Sequence, residues 1–376
     1  MISRILENKI LANLNIQKAS LLLGARRVGK TLLLESINKK NKDKTLWLNG
    51  EDQDVHTLLE ERTVGNYQRL LQGYTLLIID EAQFIPDIGR KAKLMIDTIK
   101  PLHIILTGSS AFHIEQLGEP LTGRTIRYTL YPVAQAELAE NENMLQTKQN
   151  LEERLIYGSY PEVITLSTLL QKQQYLTELI NTYLLKDILV FEDIRNPQKL
   201  KDLLGLLAYQ VGNQVSQDEL GKQLGISKNT VDRYLDLLCK VFVIYKRSGF
   251  SRNLRKEIVK SNRWYFVDNG IRNAIINNFS PLAARQDLGM LWENYIICER
   301  QKRNDYSDYM VNPYFWRTYD QQEIDLIEVK DEVIAGFEMK WKEDKIKKPI
   351  AFAKAYPDAS FQVITKDNYQ DWIKVD

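Results

Sequence analysis

The chain has 376 residues, of which 44% are hydrophobic and 27% charged, with a formal net charge of +2. That length exceeds one ordinary hydrophobic core and points to two or three domains. The composition excludes a disordered or fibrous chain, and the balanced charge leaves any nucleic-acid surface to local clustering rather than bulk basicity.

The first residues, MISRILENKILANLNIQKAS, mix charged and apolar positions at helical spacing and lack the unbroken apolar core of a signal peptide. Short apolar runs follow at ASLLLG (19–24), TLWLNG (45–50), YTLLIIDEA (74–82), LHIILTGSS (102–110) and TIRYTLYP (125–132). Helical patterns at 30–40, 56–72 and 89–99 separate them. Apolar strands alternating with helices predict an α/β domain over 1–135, its parallel sheet covered on both faces.

Residues 136–195 turn to long helical periodicity, broken at YGSYPEVI, and predict a helical lid or linker. In 196–270 an amphipathic helix precedes a short helix capped by Ser216, a turn at Gly225 and a second helix after Ser227. The strands VIYKRSG and RWYFVD follow, which makes the order that of a winged helix-turn-helix. The segment 271–376 predicts a small α/β domain: a helix at 290–303, strands at 314–319, 323–330 and 333–341, a lysine-rich helix, and a strand at 361–365. Cys239 and Cys298 lie far apart in apolar helical contexts, which suits buried thiols in a reducing compartment. No run reaches the roughly 20 apolar residues of a membrane span. The expectation is a cytoplasmic protein without a membrane partner.

The chemistry concentrates after the first strand. Gly24-Ala25-Arg26-Arg27-Val28-Gly29-Lys30-Thr31 fits G-x-x-x-x-G-K-[ST] between a predicted strand and a predicted helix. Glycines let the loop curl so that its amides point at phosphate oxygens, and the helix that follows aims its positive end at the same place. Lys30 would reach the terminal phosphates and the Thr31 hydroxyl would hold Mg²⁺. LLIIDE ends a fully apolar strand in Asp80, a second Mg²⁺ holder, and Glu81, which would polarise the attacking water. In LTGSS, Thr107, Ser109 or Ser110 offers a hydroxyl as γ-phosphate sensor, although hydroxyls also cap helices. Arg124 is a candidate arginine finger, in cis or from a neighbouring subunit, or equally a surface ion pair.

These motifs, with the later blocks YGSYPEV, TYLLKDI, KSNRWYFVDNGI, LWENYI and FWRTYDQQEIDLIEV, resemble a prokaryotic family of AAA-type ATPases of the ASCE P-loop class. Its members carry a C-terminal domain of unknown function. The resemblance spans nearly the whole chain. It implies an α/β P-loop NTPase domain using ATP and Mg²⁺, a winged helix, and an end domain similar to PD-(D/E)xK restriction-type nucleases.

In that end domain Glu338 and Lys340 alternate on one strand and face one side of the sheet. A tight connection around 330–333 would bring Asp325 alongside, and Glu293 could reach in from the preceding helix. Asp325, Glu338 and Lys340 resemble the Asp…Glu-x-Lys core of metal-dependent nucleases, which implies a second Mg²⁺ or Mn²⁺. An alternating Glu and Lys pair is also ordinary on a solvated strand.

Lys228, Asn229, Thr230 and Arg233 open the second helix of the winged-helix pattern, where base edges are read. Lys246, Arg247, Arg252, Arg255, Lys256, Lys260 and Arg263 follow as a basic strip that could neutralise phosphates. The expected partners are ATP and DNA. An oligomer, or a protein partner bound by a nucleotide-set switch whose nuclease-like domain is inactive, stays open as the alternative.

Overall fold

The computed structural model describes residues 2–108, 121–184, 196–251, 262–342 and 346–375. The chain divides into two compact units, Met1–Tyr131 with Lys240–Phe242, and Pro132–Cys239 with Val243–Asp376. Among the described residues no helix is long and apolar enough to cross a membrane.

In the first unit a helix α1 (Ile5–Ala12) leads into β1 (Ala19–Leu23), and α2 (Lys30–Asn41) follows. Next come β2 (Thr45–Asn49), α3 (Gln53–Leu58), α4 (Val64–Leu70), β3 (Leu76–Asp80), α5 (Ile88–Thr98), β4 (His103–Gly108) and β5 (Thr125–Thr129). The strands form one sheet in the order β2-β3-β4-β1-β5, with every pairing parallel. Every residue of the three inner strands is buried, as helices on both faces require. The edge strands β2 and β5 expose part of their length. Leu21, Leu77, Ile79, Leu106 and Met95 belong to one apolar cluster, each burial stabilising by about 1.5–3 kcal/mol. Because β1, β3 and β4 run parallel, their carboxyl ends open at one edge, and β4, inserted between β1 and β3, places its end between theirs, where ligands of open α/β sheets bind.

The second unit begins with helices. The short α6 (Gln135–Leu138) is followed by α7 (Met144–Tyr157), α8 (Pro161–Thr165) and α9 (Leu169–Glu178). Asn143 with Gln146, and Thr168 with Gln171, form capping boxes at α7 and α9, satisfying amides that the first helical turn leaves open. Next come α10 (Pro197–Tyr209), β6 (Gln214–Val215), α11 (Gln217–Leu224), α12 (Lys228–Lys240), β7 (Ile244–Gly249) and β8 (Asn262–Phe266). Ser216 caps α11, Gly225 closes it at φ 66°, and the Ser227 hydroxyl accepts the Thr230 amide at 3.2 Å.

The chain ends with α13 (Asn269–Ile275), α14 (Leu288–Tyr306), β9 (Asn312–Arg317), β10 (Glu323–Lys330), β11 (Val333–Met339), α15 (Ile350–Ala355), β12 (Ser360–Ile364) and α16 (Tyr369–Ile373). Strands β9, β10 and β11 make an antiparallel meander, and β12 pairs parallel to β11. The β10–β11 turn sets Asp331 at φ 47° and Glu332 at φ 69°, the two positive angles that match a tight hairpin to the strand twist. One sheet contains all of these strands in the order β12-β11-β10-β9-β7-β8-β6. The join is a parallel step in which Ser248 pairs with Tyr314 and Gly249 with Phe315.

Candidate functional site

The loop between β1 and α2 is built by its glycines. Gly24 has φ 153°, and a β-carbon there would sit 2.2 Å from the Leu130 carbonyl oxygen, so only glycine fits. Gly29, at φ 95°, turns the chain into the first residue of α2, and Arg27 shares the left-handed region at φ 64°. Lys30 is buried and donates to the carbonyls of Gly24 and Ala25, each at 3.0 Å. Its ammonium is thus held by the loop it would leave to reach a phosphate.

The acids of β3 meet this loop from two strands away. Thr31 Oγ1 donates to Asp80 Oδ2 at 2.8 Å. The other Asp80 oxygen accepts the hydroxyl of Thr107, at the end of β4, and Thr107 Oγ1 in turn accepts the Glu81 amide at 2.9 Å. Glu81 has φ 50°, an uncommon angle for a side-chain-bearing residue, and its carboxylate accepts from the Gln83 side chain. Thr31 and Asp80 present hard oxygen donors at one point, a set suited to Mg²⁺.

Arg4 ties the loop to the chain after β5, donating to the carbonyl of Val28 at 2.7 Å and to that of Tyr131 at 2.6 Å. Nothing in the motif spacing points to it; only its position in an amphipathic N-terminal helix pattern sets it apart. Arg124 donates to Asp97 at 2.6 Å across a partly exposed pair. Ser109 and Ser110 lie outside the described residues, as do Arg252, Arg255, Lys256 and Lys260 of the basic strip and residues 185–195 of the helical segment.

The second unit gathers its candidate acids on neighbouring elements. Leu326 pairs with Phe337, so one step on, Asp325 stands opposite Glu338. Asp325 Oδ2 accepts the Met339 amide at 2.9 Å, and Lys340 Nζ lies 2.9 Å from Glu338 Oε1. Glu293, on α14, accepts the Tyr265 hydroxyl at 2.7 Å. Burial first, and then the charge of Asp325, holds Glu293 and Glu338 above the usual carboxylate range; burial does the same to Asp325.

The basic strip reads differently in three dimensions. Arg263 is only 3% exposed and points into these acids, and Arg247 is buried and bonded to Gln301. Neither can contact a nucleic-acid backbone as the strip reading requires. Trp264 is buried with them, whereas Lys246 stays exposed. At the start of α12, Lys228 pairs with Asp218 at 3.4 Å on an exposed surface.

Among the described residues no group of three or more His, Cys, Asp or Glu side chains is arranged to hold a metal ion. The Asp325 cluster does not fit a second Mg²⁺ or Mn²⁺, because a guanidinium already serves its carboxylates.

Residues 17–139 match the family model described as AAA domain. Residues 148–282 and 288–374 match two models described as domains of unknown function, DUF8612 and DUF4143. An uncharacterized protein of Haemophilus influenzae is 26% identical over 344 residues, covering 83% of this chain and 80% of its own. One from Mycobacterium tuberculosis is 26% identical over 330 residues, covering 85% and 69%. The fold is similar to that of the Walker-type ATPase of Pyrococcus abyssi, with a TM-score of 0.50 at 16% identity, covering 73% of this chain and 96% of that one. With its buried parallel sheet and its glycine loop ahead of Lys30, the segment 17–139 matches the AAA domain model and has the fold of a P-loop ATPase domain.

Proposed function

We propose that the chain binds ATP with Mg²⁺ at the carboxyl edge of its first sheet and hydrolyses it there. The observation that carries this reading is the 2.8 Å bond from Thr31 Oγ1 to Asp80 Oδ2, which joins the two oxygen donors expected at a nucleotide-bound Mg²⁺. The amides of 24–31 cradle the phosphates, and Lys30 exchanges its Gly24 and Ala25 carbonyls for phosphate oxygens. Glu81 takes a proton from the attacking water while the Thr107 hydroxyl holds its backbone in place. Ser109 remains the candidate γ-phosphate sensor by its place in the sequence LTGSS. Arg124 serves as a finger only on leaving Asp97, in its own chain or in a neighbouring copy. When bound, Mg²⁺ supplies charge neutralisation at the phosphates.

The nucleotide state then controls the second unit, which we assign to DNA association in the cytoplasm. The two capped helices and the β7–β8 hairpin support a winged helix, with Lys228, Asn229, Thr230 and Arg233 at the start of α12. The order α14, β9–β11 meander, α15 and parallel β12 supports a nuclease-like end domain. The test is the ATPase rate with and without duplex DNA at two salt concentrations, for the wild type and Lys30→Ala. Turnover that survives Lys30→Ala removes the proposed site; turnover indifferent to DNA removes the DNA assignment.

A second reading is an ATP-set switch with a catalytically silent nuclease-like domain that binds DNA or a protein partner. The position of Arg263 favours it. Plasmid cleavage in Mg²⁺ or Mn²⁺ that is lost in Asp325→Ala and Lys340→Ala would reject it.

A further inference from the structure

The acids of the end domain come from α14, β10 and β11, but the buried guanidinium among them comes from β8, in the hairpin after the two capped helices. Arg263 Nη2 donates to Glu323 Oε2 at 2.7 Å. Its Nη1 lies 3.4 Å from Asp325 Oδ1 and 3.6 Å from Glu293 Oε1. The guanidinium carbon stands 4.8 Å from the centre of the Phe315 ring, which holds the plane of the group from one side. Glu293 is packed against Gly212, where a β-carbon would come within 2.6 Å of its Oε1.

Glu338 completes the cluster and leaves it unsatisfied. One of its oxygens takes Lys340, while Oε2 is buried with no hydrogen-bond partner among the described residues, in a residue only 7% exposed. An orphaned buried carboxylate oxygen marks a place where positive charge is wanted. A divalent ion between Asp325 and Glu338 would have to share Asp325 with a guanidinium that is itself buried and cannot lose its proton. Two like charges on one carboxylate in a poorly solvated site repel strongly.

We propose that Arg263 is the resident cation of this cluster and excludes divalent metal from it, so that Asp325 and Glu338 bind Mg²⁺ or Mn²⁺ only once the guanidinium is removed. This deepens the second reading above by naming the residue that keeps the domain silent. Arginine suits the role because its planar fork reaches several carboxylates at once, whereas a lysine would offer a single point of charge.

The test is Mn²⁺ binding to nucleotide-free full-length protein, read by electron paramagnetic resonance of free Mn²⁺. The samples are the wild type, Asp325→Asn, Arg263→Met, and Arg263→Met combined with Asp325→Asn. Without nucleotide, the result does not depend on the ATP reading, whose failure would appear instead in the Lys30→Ala turnover. The expected result is no Asp325-dependent site in the wild type. Arg263→Met gains one, about a hundred-fold tighter than any in the wild type, and the double variant loses it. An Asp325-dependent Mn²⁺ site in the wild type overturns the proposal, and this arm decides alone if Arg263→Met does not fold. An Arg263→Met protein that keeps its circular dichroism and melting transition but gains no site overturns it as well.

Discussion

Replacing Thr107 by valine tests the wiring of the proposed ATP site with little change of shape. Thr107 is 1% exposed, and its hydroxyl donates to Asp80 while accepting the Glu81 amide. A hydrogen bond to a charged group contributes about 1.5–3 kcal/mol, and a buried amide left without its acceptor costs about 1–3 kcal/mol. The two losses overlap, because Asp80 Oδ1 lies 3.2 Å from the same Glu81 amide and takes over part of the bond. We therefore expect a loss of about 2 kcal/mol, or a melting point of the first unit lower by about 5–8 °C. Glu81 sits at φ 50°, so a backbone released from Thr107 relaxes away from the position proposed for the attacking water. If the whole 2 kcal/mol appears in the transition state, turnover falls about thirty-fold. Differential scanning calorimetry and steady-state ATP hydrolysis measure both quantities. Thr107→Ser, which keeps the hydroxyl, is expected to stay near the wild type. A Thr107→Val protein that melts and turns over like the wild type, or a Thr107→Ser protein as impaired as Thr107→Val, would refute the reasoning.

Arg4→Met removes both bonds to the Val28 and Tyr131 carbonyls, and calorimetric ATP affinity is expected to weaken about tenfold; unchanged affinity would mean that the loop holds its own shape. Arg300→Met leaves the Glu328 carboxylate buried without its two-pronged partner, at 2.9 and 2.7 Å, and should destabilise the second unit by about 3–5 kcal/mol in urea unfolding. Exchanging both partners for apolar residues should recover most of that loss, and failure to recover would point to lost packing instead. His103 is buried between Ser20 and the Ile16 carbonyl, each at 2.8 Å, and burial lowers its pKa from 6.5 despite the Ile16 bond. The unfolded chain therefore binds the extra proton, so this contribution is complete above pH 6.5 and fades as pH falls below it. The thermal stability of the first unit should drop from pH 7 to 5 with a slope that His103→Gln flattens; an equal slope in that variant would clear His103 of the effect.

Much of the ATPase half was legible because its signals are local. A short run such as LLII, apolar and bounded by turn residues, favours a strand buried on both faces, and β3 is buried along its whole length. The glycine pattern around Lys30 encodes its own loop, since φ 153° at Gly24 and 95° at Gly29 are angles that side chains resist. The β10–β11 turn likewise sets the register that puts Asp325 opposite Glu338. The helical pattern at 56–72 is divided in the fold between α3 and α4, with Thr63 capping the second; its hydroxyl accepts the Asn66 amide at 3.2 Å, a local competition that periodicity does not register.

What the sequence by itself determined, then, is most of what has its cause within a few residues: the inner strands of the first sheet, the phosphate-type loop, the hairpin register. Tertiary structure alone decided the partners that come from far along the chain. It inserted β4 between β1 and β3, which puts Thr107 against Asp80, and it brought Arg4 to the Val28 carbonyl. It also joined β7 to β9 and turned Arg263 inward to acids 30 to 62 positions away. The physical reason is that a basic residue in a strand has two faces open to it. Which one is buried depends on the charges that the rest of the fold brings to that side, and composition along one strand carries no record of them.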